Sequence, residues 1–135
     1  MPDRRYTFDF YRRESTAPQV LRAHRERLDK PDVWQLAHAF YYFQKVDLPK
    51  IWAGKRPATF APRFSLAEAV RRAEARLGEY VDCHCWVFTL PSFRALFRDL
   101  RSAGVIDLAI EKLEEPQPGK NEFWALLRRE AADAG

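Results

Sequence analysis

Cysteine and long apolar runs are both scarce in this 135-residue sequence. The only two cysteines are Cys83 and Cys85, and a disulfide between residues so close in sequence would close a strained ring. Reduced thiols therefore fit better and favour a reducing compartment. No apolar run is long enough to span a bilayer, and the N-terminal residues MPDRR do not lead into a signal-peptide core. We expect a cytoplasmic protein that does not enter a membrane.

The composition is that of a folded domain with a mild positive charge. Aromatic residues make up 14% of the chain, and burying so much aromatic surface can offset the entropy that a chain loses on folding. A chain of 135 residues is also long enough to bury a core. The net charge of +4, from 23 Lys+Arg and 19 Asp+Glu, permits an anionic partner without requiring one.

The sequence divides into three parts within one predicted domain, residues 1–135. Residues 1–14 are predicted to form an extended N-terminal segment that is aromatic and basic. Residues 15–80 are predicted to be helical, and residues 81–135 to contain a strand, a helix and a hairpin.

Helix starts are the clearest local signals. Each of about four predicted helices is preceded by a residue whose side chain can cap free backbone N–H groups: Thr16, Asp32, Ser65 and Thr89. Ser65 and Glu68 have the spacing of a reciprocal capping box. The helix after Ser65 is expected to bury a stripe that contains Leu66, Val70, Ala73 and Leu77. Residues 47–63 are rich in proline and are predicted to be a loop.

The C-terminal part predicts an antiparallel β-hairpin. Strands are expected at residues 105–113 and 121–128, joined by a loop with two prolines and a glycine. An isolated hairpin is only marginally stable in water, so it must pack on the preceding helix or join a larger sheet. The predicted fold class is therefore α+β, with about four helices and a C-terminal antiparallel β-hairpin.

Three sequence strings resemble parts of one protein family. They are PDRRYTFD (residues 2–9), DCHCWVFT (residues 82–89) and GKNEF (residues 119–123). The chain is similar to the C-terminal half of class I S-adenosylmethionine-dependent methyltransferases of the bacterial methyltransferase-domain type. This resemblance implies the rear part of a Rossmann-like methyltransferase fold, in which the closing strand inserts beside the central strand.

One departure from the family concerns the cofactor. The family holds S-adenosylmethionine with a glycine-rich turn after its first strand, but the five glycines of this chain are far apart: Gly54, Gly78, Gly104, Gly119 and Gly135. We therefore expect no cofactor to bind this chain alone, and S-adenosylmethionine to bind only if a cofactor-binding half completes it. A truncated gene product, a misplaced start codon, a subunit of a split enzyme and a remnant reused for binding all remain open.

His84 is the candidate catalytic residue. If residues 81–88 are extended, His84 and Trp86 lie on one face and Cys83 and Cys85 on the other. The histidine is then placed to take a proton from a methyl acceptor while the tryptophan walls the pocket. The alternative is a structural histidine that is hydrogen-bonded within the domain.

The resemblance also implies substrate-binding positions in two of the strings. Asp3, Arg4 and Tyr6 fall where the family's substrate mouth lies, beyond the carboxyl end of a strand. Asp82 and Trp86 belong to the string around His84. For the N-terminal three residues, the alternative is a segment that only packs against the body of the domain.

Two other kinds of site are not expected. The thiols of Cys83 and Cys85 would lie opposite the imidazole, and no second cluster supplies further ligands, so we expect no metal site. The arginines Arg94, Arg98 and Arg101 recur along one helix, but such a stripe is more often a solvated face. We therefore expect no nucleic-acid partner.

Two functions remain open at this point. The first is a substrate-side methyltransferase domain that is inactive alone and takes a small-molecule or sugar acceptor. The second is a non-enzymatic protein-interaction module built on the same scaffold. If the closing strand lacks its usual neighbour, its free edge would recruit another chain. We therefore expect a homo-oligomer or a partner chain that completes the sheet.

Overall fold

The computed structural model of the protein describes residues 1–130. Within them it contains a 3-10 helix (Arg4–Tyr6), five α-helices and two strands: α1 (Ala17–Arg25), α2 (Val33–Tyr42), α3 (Leu48–Trp52), α4 (Leu66–Ala75), α5 (Leu90–Ser102), β1 (Leu108–Glu114) and β2 (Trp124–Arg129). The strands form one antiparallel pair. The α+β prediction is confirmed, with one α-helix more than expected. None of the helices in this part of the chain is both long and apolar enough to cross a membrane.

The predicted capping residues begin their helices. Asp32 Oδ1 accepts a hydrogen bond from the backbone N–H of the third helical residue at 2.8 Å, and the Thr89 side chain caps α5 in the same way. Ser65 Oγ accepts from Glu68 N at 3.2 Å. In the predicted capping box, the Glu68 carboxylate would also accept a hydrogen bond from the backbone N–H of Ser65. In the structure this carboxylate instead accepts from Arg72, one turn later, at 2.8 Å.

Helix α3 lies within the segment that was predicted to be a loop. The Asp47 side chain accepts from Lys50 N at 3.1 Å and so begins the helix. Pro49 falls in its first turn, where a missing N–H costs nothing. The helix carries Trp52 to the ring of Tyr6, and the two rings stack with centroids 4.6 Å apart.

Two clusters of apolar side chains form the core. The first lies between α5 and the hairpin and consists of Phe88, Leu90, Phe93, Leu96, Leu100 and Phe123. The second lies between α2 and α4 and consists of Leu36, Ala37, Ala73 and Val81. Helix α5 contributes Phe93, Leu96 and Leu100 to the first cluster.

The predicted buried stripe of α4 is wrong at both ends. Leu66 and Leu77 are exposed, whereas Ala69 and Ala73 are fully buried. Helices α2 and α4 pack together along this face. Small side chains let two helix backbones approach closely, so the alanines rather than the leucines form the contact.

The hairpin has a regular register interrupted once. Leu108 pairs with Arg129 and Glu114 with Trp124, and a bulge lies between Ile110 and Lys112. Both strands begin about three residues later than predicted. Gly119 in the connecting loop has a φ of +80°, a left-handed conformation that glycine adopts without strain.

The N-terminal segment is not extended as predicted. After Asp3 it folds into the 3-10 helix and a series of turns, because the Asp3 carboxylate accepts from Arg5 N at 3.0 Å and turns the chain back. Only its first residues form β-bridges with other segments. Pro2 bridges to Glu122 in antiparallel fashion and Asp3 to Phe88 in parallel fashion.

The strand predicted at residues 81–88 is also absent except for the single bridge at Phe88. Side chains from the N-terminal segment bind the backbone groups that a neighbouring strand would otherwise bind. Arg12 donates to the His84 carbonyl oxygen at 2.7 Å, and Ser15 Oγ accepts from Val87 N at 3.0 Å. The chain bends at residues 85–86, between these two contacts.

Candidate active site

A buried network of charged side chains lies beneath His84. Asp9 Oδ2 is 2.5 Å from His84 Nδ1. The other carboxylate oxygen, Oδ1, accepts from Arg12 Nη1 at 2.7 Å. Arg12 is only 2% exposed and Asp9 is similarly buried. A buried charge needs a partner, and these two residues satisfy each other while Asp9 binds the histidine.

Short turns aim Asp9 and Arg12 inward. The backbone N–H of Asp9 donates to Thr7 Oγ1 at 3.2 Å, and that of Arg12 donates to the Asp9 carbonyl oxygen at 2.8 Å. The two side chains are three residues apart and so lie on the same side of this compact segment. From there they reach His84, 75 residues later in the sequence.

The pKa of Asp9 is lowered although the carboxyl group is buried. Burial raises it, but the hydrogen bond with His84 and the positive charge of Arg12 lower it by more. Asp9 is therefore a carboxylate at neutral pH and can only accept hydrogen bonds. Neutral His84 must then carry its hydrogen on Nδ1, which leaves Nε2 with a free lone pair.

A second histidine joins the network through Arg12. Arg12 Nε donates to His38 Nδ1 at 3.2 Å. Burial lowers the pKa of His38 to about 4, helped by the nearby charge of Arg12 and opposed by that of Asp9. His38 is therefore neutral at pH 7 and acts as a hydrogen-bond acceptor for the arginine.

His84 lines a cavity of about 520 Å³, here called the aromatic cavity. The His84 side chain is 30% exposed, and its ring stacks on Phe8 at a centroid distance of 4.7 Å. Apolar side chains form most of the wall: Phe8, Ala39, Phe40, Phe43, Phe64 and Ala75. The remaining lining residues are Arg63, Arg72, Arg76, Asp82 and Cys83.

A separate cleft of about 350 Å³, here called the tryptophan cleft, lies on the other side of Arg12. Trp34, His38, Cys85 and Trp86 are among its lining residues, and Arg12 itself reaches it. The network thus extends from the tryptophan cleft, through Arg12, to the histidine of the aromatic cavity.

The structure separates the three predicted N-terminal site residues from His84. Asp3 is fully buried, and both of its carboxylate oxygens accept from the Arg5 side chain, at 2.9 and 2.7 Å. Arg4 Nη1 donates to the Phe10 carbonyl oxygen at 2.6 Å, and Tyr6 stacks on Trp52. None of the three is among the residues that line the aromatic cavity.

The other predicted residues divide between the two cavities. Asp82 lies with His84 in the aromatic cavity, whereas Trp86 lines the tryptophan cleft. The predicted alternation of faces is wrong, because Cys83 joins His84 and Cys85 joins Trp86. The bend at residues 85–86 breaks the alternation.

The pKa values of the two thiols depend on each other. A hydrogen bond from Cys83 lowers the pKa of Cys85 to about 7, against the opposing effect of burial. The same hydrogen bond, together with burial, raises the pKa of Cys83. Among residues 1–130, no group of three or more His, Cys, Asp or Glu side chains is arranged to hold a metal ion.

Sequence reasoning missed Asp9, Arg12 and His38. Asp9 is the last residue of the first family-like string, and Arg12 follows at a spacing of three. Such an acidic and basic pair in an aromatic segment is a usable signal for a buried ion pair. Nothing in the sequence near His38 connects it to the pair.

The arginine stripe of α5 is partly occupied by ion pairs. Arg98 lies beside Asp99 at 2.8 Å, and Arg101 pairs with Glu130. Arg94 is exposed on the same helix. Two of these three cations are thus balanced by carboxylates within the described part of the chain.

Comparison with known proteins does not assign this chain to a family. No family model, no curated protein and no solved structure matches it.

Proposed function

We propose that this chain forms the acceptor-binding and proton-accepting part of a methyltransferase, in which His84 takes the proton of the acceptor. The observation that carries the proposal is the Asp9–His84 pair, with a 2.5 Å contact, on the wall of the aromatic cavity. The resemblance of residues 2–9, 82–89 and 119–123 to methyltransferases supplies the reaction class.

The pair has the properties of a general base. Asp9 fixes the ring orientation and holds the hydrogen on Nδ1, so Nε2 is the nitrogen that accepts a proton. As His84 gains that proton, the adjacent carboxylate stabilises the imidazolium. Arg12 keeps Asp9 ionised through its 2.7 Å contact. The apolar wall limits competing water around the acceptor.

The described residues do not fit S-adenosylmethionine in the manner of the family. That manner requires a strand followed by a glycine-rich turn, and the strands described here form only an antiparallel pair. Gly54, Gly78 and Gly104 each follow a helix, and Gly119 lies in the hairpin loop. We therefore derive no step through the cofactor. It would be held by residues outside this part of the chain.

The proposal is tested by isolating the tagged chain from its own cells together with any cofactor-binding part. Transfer of labelled methyl groups from S-adenosylmethionine to a small-molecule extract is then measured. We expect His84→Asn to lower transfer by roughly 100-fold or more, the range for loss of a general base. His24→Asn, an exposed histidine on α1, is the control. Full activity of His84→Asn would contradict the role of His84, and absence of any transfer would contradict the reaction class.

A second candidate is the non-enzymatic interaction module, favoured by the outer face of β2. Trp124 is 67% exposed and Leu126 is 54% exposed on that strand. Exposed apolar side chains on an open strand favour association with another chain, here a second copy. Light scattering during size exclusion should detect a dimer that Leu126→Thr weakens and that Leu66→Thr, an exposed leucine on α4, leaves intact. A monomer at high concentration would contradict this candidate.

A further inference from the structure

The lining of the aromatic cavity identifies a class of acceptor. We infer that the cavity binds a flat aromatic molecule that carries a hydroxyl group and a separate anionic group, that is, an aromatic hydroxy acid. This inference rests on the proposed function, because the hydroxyl is the group whose proton His84 accepts. The inference adds that the acceptor is a flat aromatic molecule and says where its anionic group binds.

Four phenylalanines in the lining favour a flat aromatic ligand: Phe8, Phe40, Phe43 and Phe64. Phe8 stacks on Phe43 at a centroid distance of 5.1 Å and on His84 at 4.7 Å. Aromatic rings prefer stacked or edge contacts with other flat rings. The volume of about 520 Å³ suits a molecule of two fused rings or similar size.

Arginines account for the anionic group. The cavity lining contains three arginines and one acidic residue, Asp82. Arg72 pairs with Glu68 at 2.8 Å and Arg76 with Glu79 at 3.4 Å. These two cations are already balanced by carboxylates on their own segment.

Arg63 is the arginine that remains to bind a ligand. Within residues 1–130 it forms no ion pair with a carboxylate, and its guanidinium lies 5.2 Å from the centroid of the Phe64 ring. Phe64 also contacts Arg72, whose guanidinium is 4.2 Å from the same centroid. An anionic group on a flat ligand can therefore meet Arg63 while the ring lies among the phenylalanines. Arginine is well suited to this role because its planar guanidinium can donate two parallel hydrogen bonds to the two oxygens of a carboxylate.

The same lining argues against a sugar acceptor. A sugar buries several hydroxyl groups, and each of them needs a hydrogen-bond partner. Apart from the arginines, the polar lining consists of Asp82, Cys83 and His84. The Nδ1 atom of His84 is already bound to Asp9, so few acceptors remain. An aromatic hydroxy acid presents one hydroxyl and one anion, which these groups can satisfy.

The experiment measures binding of four probes to the purified chain by calorimetry. They are 6-hydroxy-2-naphthoate, 2-naphthol, glucose 6-phosphate and octanoate. We expect the naphthoate to bind most tightly and 2-naphthol, which lacks the anion, to bind about tenfold more weakly, since a charge-assisted hydrogen bond is lost. Glucose 6-phosphate tests anion recognition without a ring, and octanoate tests an apolar acid that is not flat. Both should bind more weakly than the naphthoate.

Variants locate the site. Arg63→Gln should weaken naphthoate binding about tenfold, by the same loss of a charge-assisted bond, and leave 2-naphthol binding unchanged. Arg94→Gln, on the exposed face of α5 outside the cavity, is the matched control and should change neither. Equal or tighter binding of glucose 6-phosphate or octanoate would overturn the inference. Unchanged naphthoate binding in Arg63→Gln would also overturn it.

Failure of this inference is distinguishable from failure of the proposed function. His84→Asn removes the group that accepts a hydrogen bond from the ligand's hydroxyl and should weaken naphthoate binding by up to about tenfold, whereas methyl transfer should fall by roughly 100-fold or more. If the naphthoate binds as expected and His84→Asn transfers methyl groups at the wild-type rate, the ligand class stands and the base assignment fails. If transfer depends on His84 but the naphthoate does not bind, the base assignment stands and the ligand class fails.

Discussion

Asp9 Oδ2 and His84 Nδ1 lie 2.5 Å apart, although 75 residues separate them in the sequence. Arg12 binds the other oxygen of the same carboxylate and also the His84 carbonyl oxygen, each at 2.7 Å. One arginine therefore fixes both the acid that orients the histidine and the backbone that carries it.

The tautomer of His84 follows from the charge of Asp9. We expect nitrogen NMR of the neutral wild-type imidazole to show hydrogen on Nδ1 and none on Nε2. In Asp9→Asn the amide N–H₂ can donate to Nδ1, so the neutral ring should instead carry its hydrogen on Nε2. A wild-type ring with hydrogen on Nε2 would contradict the assignment of Nε2 as the proton acceptor.

Arg12 should contribute strongly to stability. Arg12→Met removes the partner of a buried carboxylate, and breaking a buried pair in this way costs about 3–5 kcal/mol. The matched variant Arg98→Met breaks an exposed ion pair with Asp99 and should cost less than about 1 kcal/mol. The free energy of unfolding in urea gives both values. Similar losses in the two variants would contradict the structural role of Arg12.

His38 should make stability depend on pH. Its pKa falls from an ordinary value of 6.5 to about 4 in the folded chain. Between these two values the unfolded chain binds a proton at His38 that the folded chain does not, so stability should fall as the pH falls through this window. His38→Gln keeps an acceptor for Arg12 Nε but cannot titrate. Urea midpoints at pH 7 and pH 5 should therefore differ less in this variant than in the wild type. An equal difference would contradict the burial of neutral His38.

The reactivity of Cys85 should report its hydrogen bond with Cys83. Because a thiolate is the reactive form, alkylation of Cys85 by iodoacetamide should reach half its maximal rate near the pKa of about 7. Cys83→Ala removes the donor and should move this midpoint towards the ordinary thiol value, about 8.5. Mass spectrometry after timed quenching separates the two cysteines. A midpoint that does not move would show that Cys83 has no influence on Cys85.

Local features of the fold were predictable and long-range ones were not. A helix start depends on about four consecutive residues, so Thr16, Asp32, Ser65 and Thr89 could be identified from sequence alone. A strand depends on a neighbour that sequence spacing does not specify. Residues 81–88 alternate like a strand, yet their backbone groups bind the side chains of Arg12 and Ser15.

The same difference between local and long-range features explains which residues of the candidate site could be predicted. His84 was a candidate because it lies in the family-like string of residues 82–89, and the structure places it on the wall of a cavity. Its partners Asp9 and Arg12 lie in a segment that was predicted to be extended. The turns of that segment bring them inward, and those turns form because Thr7 and Asp3 bind nearby backbone N–H groups. The site thus depends on contacts between distant segments, which composition and periodicity do not encode.

The pairing of Met1 with Phe123 has a consequence for how the chain acquires its structure during synthesis. Met1 N donates to the Phe123 carbonyl oxygen at 3.0 Å across 122 residues of sequence, and Phe123 N donates back to Met1 at 2.9 Å. Met1 therefore cannot pair in this way until 122 further residues have been synthesised. At about 5–20 residues per second, this takes on the order of ten seconds, a period in which chaperones have access to the unpaired residue.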